Sequence, residues 1–307
     1  MKLPSSITLC EVGLRDGLQN ETYILNTEQK LEMLRGLIDA KFPVIEVGSF
    51  MHPRAVPQMA NTDEVFKAIG DVPGVELRAL IPNLRGIQRA IDCGCKKVKL
   101  NVSASRQHNL KNLNMTPEES VARFASCVDA AVENGIAISG SISMPFASPW
   151  EGRITEEDVD AIIEAYLKVG ITEISLSDTS GMAVPNQVYN LCCHIKEKYP
   201  QATWWLHFHN TRGLAMANIM AAMEAGMDRF DSSFGGLGGC PFVPGAAGNI
   251  STEDVLHLCE ESGIDTGIDI TKVIELSRKL KELLNHDMDS YILRAGRSCD
   301  LIQSNQD

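Results

Sequence analysis

The sequence predicts an α/β fold, a closed (β/α)8 barrel of the TIM type, on three observations. Short apolar runs rich in β-branched residues alternate strictly with longer segments of helical period, which implies parallel strands joined by right-handed crossovers. Eight such units are present, the number that closes a barrel. The G-x-G-x-x-G fingerprint of an open dinucleotide-binding sheet is absent after the first strand. The 307 residues are read as one domain, 1–307, with the barrel over about 6–264 and a C-terminal helical extension over about 265–302.

The strand segments are Ile7–Val12, Val44–Ser49, Leu77–Ile81, Val98–Val102, Ile136–Met144, Glu173–Ser177, Thr203–His209 and Arg229–Ser233. The helical segments are Glu28–Ala40, Thr62–Ala68, Leu84–Cys93, Pro117–Asn134, Glu156–Val169, Pro185–Glu197, Ala215–Ala225 and Glu253–Gly263, with Thr271–Leu284 as an extra C-terminal helix. Helix starts carry capping chemistry. Thr116-Pro-Glu-Glu119 supplies a hydroxyl cap, proline at the first helical position and glutamate at the third. Asn61-x-x-Glu64 has a similar pattern, and Thr27 and Thr155 suit N-caps. Glycines 135, 170 and 226 stand at helix exits.

Twenty-eight basic against 40 acidic residues give a net charge of −12. That argues against nucleic acid or an anionic membrane as a partner through bulk charge, but leaves room for an anionic ligand in a local basic pocket. Nine cysteines, including the close pairs Cys93/Cys95 and Cys192/Cys193, lack zinc-ribbon spacing. Free thiols in a reducing cytosol are expected. The opening MKLPSSITLCEV has no long apolar run, so no signal peptide is expected and a cytoplasmic location is.

In such a barrel the active site lies where strands end and βα loops begin, and polar residues concentrate there. Strand 1 ends in Glu11-Val-Gly-Leu-Arg15-Asp16-Gly17, strand 2 carries Glu46 and Ser49, and strand 4 runs into Asn101-Val-Ser103. Strand 6 ends in Ser177-Asp178-Thr179 and strand 7 in His207-Phe-His209. Residues i and i+2 of a strand share a face, so both imidazoles can point into the barrel mouth and bind one metal. The bland reading is a pair of core histidines bonded to backbone. Closure makes strands 1, 7 and 8 neighbours, which brings Asp16 and Asn249 toward the same histidines and offers two nitrogens and two oxygens. Oxygen-rich mixed ligation favours Mg²⁺ or Mn²⁺, with Zn²⁺, Co²⁺ and Fe²⁺ as further possibilities. Glu46 and Asp178 are candidate supporting carboxylates. Arg15 offers a fixed cationic fork to an oxygen that gains charge, or a plain salt bridge. The run Gly235-Gly-Leu-Gly-Gly-Cys240 reads equally as a flap that delivers Cys240 to a substrate or as a tight loop around a buried thiol.

These pieces together resemble the hydroxymethylglutaryl-CoA lyases, within the wider metal-dependent barrels that include isopropylmalate and homocitrate synthases. The carrying motifs are Glu11 through Glu21, Ser49-Phe50 with Val56-Pro-Gln-Met59, Pro82-Asn83-Leu84, Ser177-Asp-Thr179, His207-x-His209, Gly236-Leu-Gly-Gly-Cys-Pro241, Gly248-Asn249 and Thr252-Glu-Asp254, spanning about residues 6–300. The resemblance implies Asp16, His207, His209 and Asn249 as metal ligands and Arg15, Asp16, His207, Cys240 and Glu46 as catalytic or supporting residues. Arg15, Gln19, Ser49, Asn101, Ser103, Asp178, Thr179 and Gly238 are the implied substrate contacts. The implied reaction is retro-Claisen cleavage of 3-hydroxy-3-methylglutaryl-CoA to acetyl-CoA and acetoacetate, by a homo-oligomer, expected as a dimer. His207 and Asp16 both stand as candidate bases. A sister lyase for citramalyl-CoA or a longer branched 3-hydroxyglutaryl-CoA is the nearest alternative. A metal hydrolase or a non-catalytic metal-binding barrel would belong to other classes. Departures from the family pattern fall at Leu14, Thr22, Ser177 and Asn210-Thr-Arg212. Arg212 reads either as a reader of a substrate carboxylate or as a surface cation.

Overall fold

The structure, a computed structural model, describes residues 2–239 and 248–300, apart from the side chain of Asn112. Eight parallel strands close into a barrel in chain order: β1 Thr8–Glu11, β2 Val44–Ser49, β3 Glu76–Leu80, β4 Lys97–Ser103, β5 Ala137–Ser143, β6 Glu173–Asp178, β7 Thr203–Phe208 and β8 Arg229–Ser232, with β8 returning to β1. Helices α1 Thr27–Asp39, α2 Thr62–Ile69 and α3 Leu84–Cys93 follow the first three strands, and α4 Arg106–Leu113 and α5 Pro117–Glu133 follow β4. The ring is completed by α6 Glu156–Lys168, α7 Pro185–Lys198, α8 Ala215–Glu224 and α9 Thr252–Ser262. The extension then adds α10 Ile270–Leu284 and α11 Tyr291–Ala295.

All eight strands and nine helices expected from the alternation are present, with ends moved by a residue or two. Two caps differ. Asn26, not Thr27, caps α1, accepting from Gln29 N in a full capping box. Asn61 makes no cap bond to α2, because its amide is engaged by the Lys30 ammonium and by Thr27. Thr116 and Thr155 cap as expected. Helix α4 was not expected: RQHNLKNL has too little apolar periodicity, and Ser105 starts it by accepting from His108 N at 3.1 Å. Nor were α11 and a two-residue ribbon pairing Ala147–Ser148 with Gly152–Arg153.

The outer strand faces are apolar and pack under the helices, with Leu9, Val98, Leu100, Ile174, Leu176, Leu206 and Phe230 all fully buried. The inner faces are different. Barrels of this kind usually fill their interior with branched aliphatics, whereas here many of the alternate residues are polar, beside a small apolar cluster of Cys10, Val12, Val44 and Trp205. Arg78, Lys97, Lys99, Asp231, Glu46 and His207 are all buried. They form a continuous ionic column. At its foot Lys97 bonds Glu173 at 2.6 Å and the Arg78 guanidinium lies 4.6 Å over the Trp205 ring. Higher up, Arg78 bonds Asp231 at 3.1 Å and approaches Glu46 at 3.8 Å, while Lys99 pairs with Glu46 and lies 3.7 Å from Asp231. Unpaired, each of these charges would be prohibitive to bury. The column leads directly to the open rim.

The extension is docked onto the barrel. Asp254 of α9 accepts from the backbone of Tyr291 and Ile292, starting α11, and Asp289 N donates to Gly235 O at 3.0 Å. The C-terminal segment thereby braces the loop that follows β8. Among the described residues no helix is long and apolar enough to cross a membrane, and the described cysteines are all unpaired.

Candidate metal and substrate site

Past β1 the chain does not continue as strand. The Val12 carbonyl accepts from the amides of Arg15, Asp16 and Gly17 at 3.1, 2.8 and 3.2 Å, closing one wide helical turn over Gly13–Gly17. Gly13 is required there, because a Cβ would stand 2.3 Å from the Phe234 ring. Glu11 fixes the turn from beneath: its carboxyl accepts from Gly13 N, Phe234 N and the Thr252 hydroxyl at 2.7, 3.0 and 2.7 Å. Burial pushes Glu11 up to about 8, against the opposing pull of those bonds. The turn delivers Arg15 and Asp16 side by side to the rim.

Strand β7 supplies the two imidazoles. Their Nε2 atoms face one another at 3.1 Å, and Asp16 Oδ2 lies 3.5 Å from His209 Nε2 and 3.8 Å from His207 Nε2. Asp16, His207 and His209 thus present three buried donor atoms to a common point. Adjacent ligands held about 2.1 Å from one ion at right angles are separated by about 3 Å, so the donor set fits a cation. The second nitrogen of the His207 ring is consistent with this. His207 Nδ1 lies 3.2 Å from Asp231 Oδ2, which keeps the proton on Nδ1 and leaves Nε2 as a lone pair. His209 Nδ1 is buried without a partner.

Arg15 is clamped between carboxylates, its Nε bonded to Glu46 and its Nη1 to Asp16. Burial alone would raise the Asp16 carboxyl. The Arg15 guanidinium beside it outweighs burial and, with the two imidazoles close by, holds it well below the usual carboxylate range. Glu46 is likewise lowered, by Arg15, Lys99 and Arg78 against its burial. Asp231 is held down by Lys99, His207 and Arg78. All three carboxylates are therefore ionised at neutral pH.

The triad opens into a cavity of about 410 Å³ that Arg15, Gln19, Lys99, Asn101 and Thr179 also line. Four of the expected substrate contacts do not reach it. Ser49 Oγ accepts from Met51 N, and Ser103 Oγ from Ser105 N, each folding its own loop. Asp178 turns out of the barrel: its carboxyl accepts from Met182 N, Ala183 N and the Ser180 hydroxyl at 3.0, 3.1 and 3.3 Å. It shapes the loop after β6 and makes no hydrogen bond to a triad residue, acting on His209 only through its charge. Gly238 lies behind the site, where a Cβ would meet the Asn249 amide at 2.5 Å and its φ of 117° excludes side chains. Asn249 stands beside Asp16, and its Nδ2 donates to Asp16 Oδ2 and Leu237 O at 2.8 and 2.9 Å, so it turns nitrogen rather than oxygen toward the triad. Arg212 is absent from the cavity lining and is an exposed cation, as one of its two readings had it; its guanidinium braces the carbonyls of Ser180 and Gly181 at 3.0 Å. Cys240 lies outside the described residues. Asp231 and Lys99 are functional neighbours that the motifs did not single out, although Arg229, Asp231 and Ser233 alternate on β8 in register with His207.

A family model described as HMGL-like matches residues 6–280. The mitochondrial hydroxymethylglutaryl-CoA lyase of Homo sapiens is 37% identical over 293 residues, 95% of this chain and 90% of that protein. The cytoplasmic 3-hydroxy-3-methylglutaryl-CoA lyase of Mus musculus is also 37% identical, over 95% of this chain and 85% of its own length. Among solved structures, an HMG-CoA lyase from Acenitobacter baumannii in complex with coenzyme A and 3-methylmalate is 43% identical and superposes with a TM-score of 0.93, covering 99% of this chain and 100% of that one.

Proposed function

The chain belongs to the HMGL-like family, and we propose that it cleaves 3-hydroxy-3-methylglutaryl-CoA to acetyl-CoA and acetoacetate with a divalent cation held by Asp16, His207 and His209. The observation that carries this reading is the convergence of those three donors beside Arg15 at the rim of one cavity. A bound cation would supply Lewis acidity that lowers the pKa of the substrate's tertiary hydroxyl. Mg²⁺ or Mn²⁺ is the proposed ion, and a half-turn of the Asn249 amide would add its oxygen to the set.

The remaining chemistry falls to the chain. A base at the triad, His207 or Asp16, takes the hydroxyl proton, and the bond between the carbinol carbon and the thioester methylene then breaks. The carbinol carbon becomes a ketone, and the electron pair leaves as the thioester enolate. Arg15, fixed by Glu46, presents its guanidinium to the oxygen on which charge develops. Glu46 acts through Arg15 and Lys99 rather than on the substrate. Asp231 holds the His207 ring in one tautomer. Asp16, with a carboxyl held so low, is a weak base. Cys240, on the segment after β8, is the proposed donor of the proton that the enolate carbon takes up.

We propose a cytoplasmic homodimer, which fractionation and light scattering would check. The reading is tested by assaying acetoacetate and acetyl-CoA release after chelation and again after Mn²⁺ or Mg²⁺ is restored. Metal-dependent formation of both products in equal amounts supports it. Release of free CoA with an intact hydroxy acid would overturn it.

A further inference from the structure

The wall of the cavity that runs on from the triad carries a row of hydroxyls that the reaction scheme above does not use. Strand β6 pairs directly with β7, setting Ser177 beside His207, and β5 and β4 continue the ring from it toward the side opposite β1 and β8. Asn101, Ser141, Ser143 and Ser177 on these strands all line the cavity. Ser141 Oγ is 3.1 Å from Ser177 Oγ, which is 3.5 Å from Ser175 Oγ, and Asn101 Nδ2 reaches Ser143 Oγ at 3.4 Å. Ser141, Ser175 and Ser177 own three hydroxyl protons and share two contacts. One proton is therefore left over, as is the second N–H of Asn101. The other side of the same cavity is apolar, formed by Met51, Ala55, Val56 and Leu80.

Charge points to what those donors meet. Arg15, Arg78 and Lys99 balance Asp16, Glu46 and Asp231 one for one in the buried column. Lys99, whose side chain also borders the cavity, is already paired with Glu46. A dication seated on the triad would leave the site positive, and an anion is the natural complement. We propose that Asn101, Ser141 and Ser177 bind the free carboxylate of the acyl group, so that this wall selects 3-hydroxy diacid monothioesters while the apolar wall takes the methyl branch. The ligand's identity rests on the lyase reading; the preference for an anion at this wall is tested apart from it.

Two non-cleavable CoA thioethers serve as probes, carrying the same 3-hydroxy-3-methyl chain and ending in a carboxylate or a primary amide. Their Kd values are measured calorimetrically on the Mn²⁺-loaded protein. The wild type should prefer the carboxylate by about 10-fold or more, the scale of hydrogen bonds to a charged group. In Ser141→Ala/Ser177→Ala the preference should shrink to about threefold or less, with Mn²⁺ affinity retained. Asn101→Asp, which places a like charge on the same wall, should reverse it. Equal binding of both probes by the wild type overturns the proposal with no variant needed, and so does full preference in the double variant or in Asn101→Asp. Turnover of 3-hydroxy-3-methylglutaryl-CoA is followed in parallel. A wild type that prefers the carboxylate probe yet breaks no carbon–carbon bond would refute the lyase reading and leave the carboxylate subsite standing.

Discussion

Replacing Asp231 with asparagine separates two roles that one carboxylate combines. Oδ1 bonds Arg78 at 3.1 Å, and Oδ2 lies 3.2 Å from His207 Nδ1 and 3.7 Å from Lys99. Both cations are buried, so removing one of their two shared counter-charges should cost about 3–5 kcal/mol. For a chain of this size that is a fall in Tm of about 5–15 °C, measured without metal. The second role is orientation. Without the carboxylate, the tautomer that leaves His207 Nε2 unprotonated loses its support, and Mn²⁺ affinity should weaken about 10- to 100-fold. That is read by titration well below the lowered Tm. Asp231→Glu should keep the charge, and with it much of the stability, while misplacing the acceptor for the imidazole. If Asp231→Asn lowers Tm as expected but leaves Mn²⁺ affinity intact, the carboxylate only balances charge and the orienting role is wrong. If neither changes, the ionic column does not contribute as argued.

Arg15→Gln should lower kcat by about 10²–10³ with little change in Mn²⁺ affinity; near-normal kcat would remove Arg15 from the chemistry. Glu11 gives a pH signature. Its carboxyl is raised to about 8 by burial, so above pH 4.5 the folded state keeps a proton that the unfolded chain releases. Its contribution is full below that pH and declines as pH rises to about 8, by about 1.4 kcal/mol per unit. Urea unfolding from pH 5 to 8.5 should show that slope in the wild type and a flatter one in Glu11→Gln; parallel slopes would contradict it. Cys240→Ser should abolish most turnover while sparing metal binding, and equal damage to both would point to a structural role for that thiol.

The barrel was legible because alternating strands and helices of this length admit few topologies, and the outer strand faces carry the apolar residues that make them readable. That His207 and His209 share one face was legible from strand period, but it took barrel closure to bring Asp16 toward them. Asp231 was not legible, because its importance depends on the β7–β8 register that sets it beside His207, and a single strand does not reveal register. Asp178 was misplaced for the opposite reason. Its neighbours Ser177 and Thr179 do line the cavity, and the two-residue period turns Asp178 away from them, but a carboxylate at a strand end drew it into the site. Ser49 and Ser103 fell to local turn chemistry, in which a hydroxyl satisfies an amide two residues on. The hydroxyl row of β5 and β6 left only a faint trace, serine at every second position, which reads as ordinary strand polarity until closure turns it inward.

Pulsed EPR of the Mn²⁺-loaded protein bears most directly on the central claim, because it counts imidazole nitrogens bound to the ion. Two should be seen in the wild type, one in His207→Ala and one in His209→Ala, with Asp16→Ala binding Mn²⁺ far more weakly. A wild-type spectrum without coupled imidazole nitrogen, or one unchanged by either histidine substitution, would place the ion elsewhere and contradict the account.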